Sequence, residues 1–203
     1  MLKAIIFDLD GVLVDATEWH YEALNKALKL FGQEIGREEH LKVYNGLPTN
    51  EKLKILSDRG ELPRGVHEII KVLKRRYTDE IVNTSCQPSH EKLIMLSYLK
   101  KLGYTLACCS NAQKYSVDNM LKRSMLDTFF DQIIGNDEGY QPKPAPDIYL
   151  AAFAKMKLNP QETVVVEDAP HGILAAKASG ANVIEVRGFH EVNLSLFERH
   201  GII

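Results

Sequence analysis

The stretch Lys3-Ala4-Ile5-Ile6-Phe7-Asp8-Leu9-Asp10-Gly11-Val12 decides the fold of this chain. Its apolar run reads as a buried strand, and it delivers two carboxylates, Asp8 and Asp10, at its C-terminal end, followed at once by Gly11. Side chains alternate along a strand, so Asp8 and Asp10 start on the same side, at the edge where open α/β sheets place ligands. Two carboxylates held that close repel each other unless a cation, a shared proton or a turn of the backbone relieves them. A strand ending in a polar turn is the plainer reading, because Asp and Gly are ordinary turn residues.

Working outward, three more polar clusters close or follow apolar runs. Ser110-Asn111 follows Thr105 to Cys109, Lys143 sits in Lys143-Pro144-Ala145-Pro146-Asp147, and Glu167-Asp168 follows Thr163 to Val166. An Asp-x-Asp, a serine, a lysine and an acidic pair, in that order and spread over almost the whole chain, resemble the four signature elements of the haloacid dehalogenase superfamily of phosphotransferases.

Between these points the chain is punctuated regularly. Asp15-Ala16-Thr17-Glu18 has the form of a capping box, and Tyr21, Leu24, Leu28 and Phe31 recur at helical spacing until Gly32. A short helix is predicted over Glu38 to Tyr44. Thr49 is placed to cap a helix over Asn50 to Arg59. A long amphipathic helix after Pro63 is marked by Val66, Ile69, Ile70, Leu73, Tyr77 and Ile81. From Asp15 to Ser85 no strand candidate occurs. Beyond Pro88, helices near His90–Leu102, Gln113–Arg123, from Pro146 and Pro170–Ser179 alternate with apolar segments at Tyr104–Cys109, Phe129–Ile134, Thr163–Val166 and Asn182–Val186. That alternation specifies βαβ units and a doubly wound parallel sheet. The predicted architecture is an α/β, Rossmann-like core of residues 1–14 and 86–203, with a small all-helical domain, 15–85, inserted after the first strand. The resemblance implies the same layout, the insertion being a helical cap hinged over the cleft.

Composition narrows the function classes. A net charge of −2 leaves no basic footprint for nucleic acid and no polybasic segment for a membrane surface, so an anionic substrate must be attracted by local groups. No run reaches the length of a transmembrane helix, and Asp8 and Asp10 interrupt the first apolar stretch in a way that a signal peptide does not. Cys86, Cys108 and Cys109 have neither a disulfide framework nor zinc spacing; they are expected as small core residues in a reducing cytoplasm. A monomer or weak homodimer is expected.

The resemblance implies roles residue by residue. Asp8 would attack phosphorus and form an aspartyl-phosphate; spacing alone does not say which aspartate is the nucleophile. Asp10 would protonate the leaving alcohol and then deprotonate water. The superfamily's dehalogenases lack an aspartate there, which disfavours halide displacement. Gly11 would let the chain turn tightly beneath the phosphate. Glu167 and Asp168, with Asp8 and the backbone carbonyl of Asp10, make an oxygen-rich set suited to Mg2+. An acidic start to a helix explains the same pair without a metal. Ser110 would donate its hydroxyl, and Asn111 its backbone N–H, to phosphoryl oxygens; a simple N-cap is the alternative for Ser110. Lys143 would bring its ammonium to Asp8 and the transferring group, its backbone fixed by Pro144 and Pro146.

In the helical insertion, His20 lies off the apolar stripe and is either a substrate contact, as in sugar phosphomutases of the family, or an exposed side chain. Gly46 to Thr49 forms a candidate specificity loop. Trp19 stacks on a sugar or closes a hinge, Arg75 and Arg76 read as a solvated face, and His171 receives no role. Together these readings describe a Mg2+-dependent phosphatase of a small phosphorylated metabolite, a sugar phosphate or a relative of one. The competing readings are a phosphomutase resembling β-phosphoglucomutase and a non-catalytic binding module on the same fold. Against the mutase stand Ala16, the loop Leu47-Pro48-Thr49 without its arginine, and Ser110-Asn111 in place of serine-alanine.

Overall fold

The computed structural model describes residues 2–44, 47–137 and 139–203. Gly46, assigned above to the specificity loop, lies outside the described residues. The chain divides into two compact units, Met1–Asp15 with Cys86–Ile203, and Ala16–Ser85.

The first unit is built on a parallel sheet of β1 (Ala4–Phe7), β2 (Thr105–Cys109), β3 (Gln132–Ile134), β4 (Thr163–Glu167) and β5 (Asn182–Glu185), in the order β3-β2-β1-β4-β5. The strands are linked through α5 (His90–Lys101), α6 (Lys114–Arg123), α7 (Asp147–Met156) and α8 (Pro170–Ala178). Every residue of β1 and β4 is buried, as expected for strands covered on both faces. Ile6, Ala107, Cys109 and Val165 pack against Ile148, Tyr149 and Phe153 of α7 and Ala175 and Ala176 of α8. On the opposite face the Phe7 ring meets Phe130 and Phe197 edge-on, at 6.3 and 6.0 Å between centroids.

Phe197 belongs to α9 (Leu194–Arg199), a helix with no counterpart in the sequence reading. The segment Phe129–Ile134 also differs from expectation: Asp127–Phe129 forms a 3-10 turn and only Gln132–Ile134 is strand.

Strand order reverses between β1 and β4, which makes their carboxyl ends the switch point where ligands bind in such sheets. Phe7 is in register with Cys108 on one side and Val166 on the other. The Asp8 N–H continues the ladder by donating to Val166 O at 3.0 Å. One level further along, Asp8 therefore stands between Cys109 and Glu167.

The second unit is all-helical in its described residues. It holds α1 (Thr17–Lys29), α2 (Arg37–Glu39) running into a π-turn over His40–Tyr44, α3 (Thr49–Asp58) and α4 (His67–Ser85). Leu24, Leu28, Ile35, Tyr44, Leu53 and Ile70 are central to its core. Two local expectations are corrected here. The N-cap of α1 is Ala16, with no side-chain capping bond; the Glu18 carboxylate that a capping box needs is paired with Arg37 at 2.5 Å instead. Thr49 is the first helical residue of α3 rather than its cap, a place taken by Pro48. The stripe read for the helix after Pro63 packs on the core of this unit through Val66, Ile70, Leu73 and Tyr77; only Ile69 departs from it, at 52% exposed, and Thr78 and Val82 of α4 are buried in addition. No helix among the described residues is long and apolar enough to cross a membrane.

Candidate active site

The edge of the sheet gathers Asp8 from the end of β1, Glu167 and Asp168 from the end of β4, and Lys143 from the segment before α7. Lys143 is 2% exposed. Its ammonium donates to Asp8 Oδ1 at 2.5 Å, to Glu167 Oε1 at 2.6 Å and to Cys109 O at 2.9 Å. Three donors meeting three acceptors is full use of a lysine head group, and it explains how a buried cation is tolerated there. Burial alone would depress the Lys143 ammonium, but the Asp8 and Glu167 carboxylates outweigh it and raise its pKa well above the ordinary range.

The lysine does not neutralise the whole cluster. Burial, reinforced by Glu167, raises the Asp8 carboxyl well above the usual range despite Lys143. Burial together with the charges of Glu167 and Asp10 pushes Asp168 up to about 7. Asp8, Glu167 and Asp168 each present an oxygen within 4.8 Å of the others, and Asp168 Oδ1 is buried with no hydrogen-bond partner. An all-oxygen donor set with surplus negative charge and an open acceptor suits a hard divalent cation. Glu167 is already engaged: its Oε1 also accepts the Tyr149 hydroxyl at 2.6 Å, and its Oε2 lies 3.4 Å from the Ala169 N–H. Asp168 is thus the freer ligand of the acidic pair.

Two glycines make room for these carboxylates. Gly11 adopts φ +81°, and a Cβ there would lie 2.2 Å from Asp168 Oδ2. A Cβ on Gly172, in the first turn of α8, would lie 2.0 Å from Glu167 Oε1. Gly11 therefore serves the aspartate as well as the turn.

Ser110, buried at the end of β2, lies three residues ahead of Gln113, the N-cap of α6; it does not cap that helix. Its Oγ accepts the Ala112 N–H at 3.0 Å. The Asn111 side chain has a role that the sequence did not suggest. Its Oδ1 accepts the Lys143 N–H at 2.9 Å and its Nδ2 donates to Lys143 O at 3.4 Å, clamping the lysine's own backbone. Sequence reasoning missed this clamp along with Tyr149 and Gly172. In the motif Lys143-Pro144-Ala145-Pro146-Asp147, a tyrosine six residues past the lysine was the only available hint.

The remaining residues read from sequence belong to the helical unit or the surface. His20 Nδ1 lies 3.0 Å from Lys74 Nζ. Thr49 and Trp19 are half-buried, and Arg75 and Arg76 are exposed, Arg76 pairing with Glu80 at 3.2 Å. His171 is half-buried at the start of α8.

Comparison with known proteins follows the same lines. The family model described as haloacid dehalogenase-like hydrolase matches residues 5–186. A phosphorylated carbohydrates phosphatase of Thermotoga maritima is 28% identical over 182 residues, covering 88% of this chain and 82% of that protein. The fructose-1-phosphate phosphatase YqaB of Escherichia coli is 26% identical over 185 residues, covering 90% of this chain and 95% of the other. A solved HAD hydrolase of family IA, variant 3, from Entamoeba histolytica shares the fold with a TM-score of 0.81 at 21% identity, over 97% of this chain and all (100%) of that one.

Proposed function

Because the chain belongs to the haloacid dehalogenase-like hydrolases, we propose that it is a Mg2+-dependent phosphatase of a small phosphomonoester, working through an aspartyl-phosphate on Asp8. The observation that carries this reading is Asp8 itself: a buried carboxylate gripped at Oδ1 by Lys143, with Asp168 Oδ1 unpartnered nearby.

In the first half-reaction a carboxylate oxygen of Asp8 forms a bond to phosphorus as the ester P–O bond breaks, and Asp10 gives its proton to the departing alkoxide. In the second, Asp10 takes a proton from water, whose oxygen attacks phosphorus; inorganic phosphate leaves and Asp8 is restored. Lys143 holds Asp8 by one oxygen, which orients the carboxylate, and its charge stabilises the negative charge that spreads over the phosphoryl oxygens. Ser110 Oγ and the Asn111 N–H are proposed as donors to those oxygens. Asp8, Asp168 and the main-chain oxygen of Asp10 would hold Mg2+, with Glu167 direct or through water. When bound, the ion offsets the repulsion between phosphate and carboxylates and polarises the phosphoryl oxygens.

A sugar phosphate is the proposed substrate class, supported by the carbohydrate-phosphate activities for which two relatives are named. The deciding experiment is phosphate release from a panel of phosphomonoesters, with Mg2+ and with EDTA, for the parent and Asp8→Asn. Metal-dependent release that disappears in the variant is the expected result. Well-folded parent protein that releases phosphate from no ester would overturn the reading.

A further inference from the structure

We infer that Lys92 of α5 is a positioning residue for Asp10, strapping the segment Gly188–Val192 against the turn on which that acid stands. The role rests on the phosphatase reading, in which Asp10 protonates the leaving group.

Lys92 is fully buried, a rare place for a lysine and a costly one for a charge. Its ammonium donates to two main-chain oxygens rather than to a carboxylate: Phe189 O at 2.7 Å and Val192 O at 2.6 Å. It also lies over the face of the Phe189 ring, 3.8 Å from the centroid. Both oxygens belong to one short stretch, 97 and 100 positions along the chain from the lysine. A charge brought inside the core to hold backbone oxygens fixes that stretch more firmly than apolar packing does, since a hydrogen bond to a charged donor is directional and strong.

What the stretch touches gives the grip its purpose. It leaves β5 at Val186, whose N–H donates to Glu167 O at 2.9 Å, so it starts beside the acidic pair. Gly188 follows at φ +148°, and a Cβ there would lie 3.9 Å from Gly11 O. Phe189–Glu191 then forms a 3-10 turn, and His190 Nε2 comes to 4.0 Å from Asp15 Oδ2. The stretch therefore runs along the Asp10–Asp15 turn, meeting it at Gly11 and again at Asp15. The turn's own bonds are local: the Gly11 N–H donates to Val14 O at 2.7 Å, and those of Leu13 and Val14 turn back to Leu9 O at 2.9 and 3.0 Å. Such bonds set the shape of the turn, and the stretch held by Lys92 bears on it from outside. Gly11 directly follows Asp10, so a shift of the stretch reaches the acid through a single peptide. A misplacement of about 1 Å in a catalytic group can cost on the order of a hundredfold in rate.

A general acid matters most when the departing oxygen is basic, which separates this role from a merely structural one. The test compares kcat/KM for phenyl phosphate and p-nitrophenyl phosphate, two esters of like shape whose leaving groups differ in basicity, between the parent and Lys92→Met. With Asp10 displaced, the ratio of the phenyl to the p-nitrophenyl ester should fall about tenfold in the variant, because nitrophenolate departs without a proton. Equal losses on both esters, or no loss on either, overturn the role: Lys92 then supports the core without setting the acid. Gly188→Ala tests the same stretch from its other contact and leaves the lysine in place, since alanine does not adopt the Gly188 backbone. Where Lys92→Met does not fold, the ratio in Gly188→Ala decides, a fall upholding the role and an unchanged ratio overturning it. Parent protein inactive on these two and on every other ester of the panel overturns the proposed function, and this role with it. An active parent whose ratio the variants leave unaltered overturns this role alone.

Discussion

The Lys143 ammonium lies 2.5 Å from Asp8 Oδ1 across 135 residues of sequence, and the same nitrogen holds Glu167 Oε1 at 2.6 Å. One cation thus keeps two buried carboxylates apart in the role that surrounding water would otherwise fill. Replacing it by methionine of similar volume leaves both acids buried against each other. Lys143→Met is expected to lose about 3–5 kcal/mol of stability, the usual consequence of removing one member of a buried pair, measured by urea unfolding in EDTA. Mg2+ should recover part of that loss, and phosphate release should fall by about a thousandfold or more. A variant as stable as the parent would show that the carboxylates do not need the lysine.

Tyr149 makes a narrower prediction. Its hydroxyl donates to Glu167 Oε1 at 2.6 Å and is fully buried. Tyr149→Phe removes only that oxygen, and a lost bond to a charged acceptor costs about 1.5–3 kcal/mol. The expected result is a lower urea midpoint of that size, with a much smaller loss of turnover than Lys143→Met causes. Loss of turnover equal to that of Lys143→Met would mean that Tyr149 touches the reacting group.

These two residues mark the boundary of what was legible in the sequence. The core strands could be read because apolar runs and turn residues are local signals, and the doubly wound sheet follows from their alternation with helices. The order of Asp8, Asp10, Ser110, Lys143, Glu167 and Asp168 could be read because each closes or follows such a segment. The bond from Tyr149 to Glu167 and the clamp of Asn111 on Lys143 had no local signature, since each joins side chains of separate elements. Caps failed for a related reason: Glu18 suits a capping box, yet the pairing with Arg37, nineteen positions on, claims its carboxylate. The short helix α9 was passed over because six residues carry too little periodicity; its Phe197 contact with Phe7 gives it its place.

Gly11 offers a test of the acidic pair. Alanine at this position meets two obstacles, a backbone at φ +81° and a Cβ 2.2 Å from Asp168 Oδ2. The conformational part costs roughly 1–2 kcal/mol, and the steric part must displace the aspartate. If Asp168 is the freer metal ligand, Gly11→Ala should raise the Mg2+ concentration for half-maximal phosphate release by on the order of tenfold, as losses around a metal ligand commonly do. An unchanged Mg2+ requirement would remove Asp168 from the ligand set.

His40 supplies a pH dependence away from the acidic cluster. It is buried beside the Tyr21 ring, 4.6 Å between centroids, and burial followed by the charges of Lys52 and Arg37 lowers it from 6.5 to about 4. In the folded chain it stays neutral over a range where the unfolded chain takes up a proton. Its contribution to stability is therefore complete above pH 6.5 and is lost progressively as the pH falls toward 4. Other groups titrate in the same window, so the measurement is a difference: urea midpoints at pH 7, 6, 5 and 4.5 for the parent and His40→Gln. The parent should lose stability more steeply than the variant across that window, with the gap opening below pH 6.5. Parallel curves would mean that His40 accepts its proton in the folded state at the ordinary pH, and that the charges of Lys52 and Arg37 do not reach it.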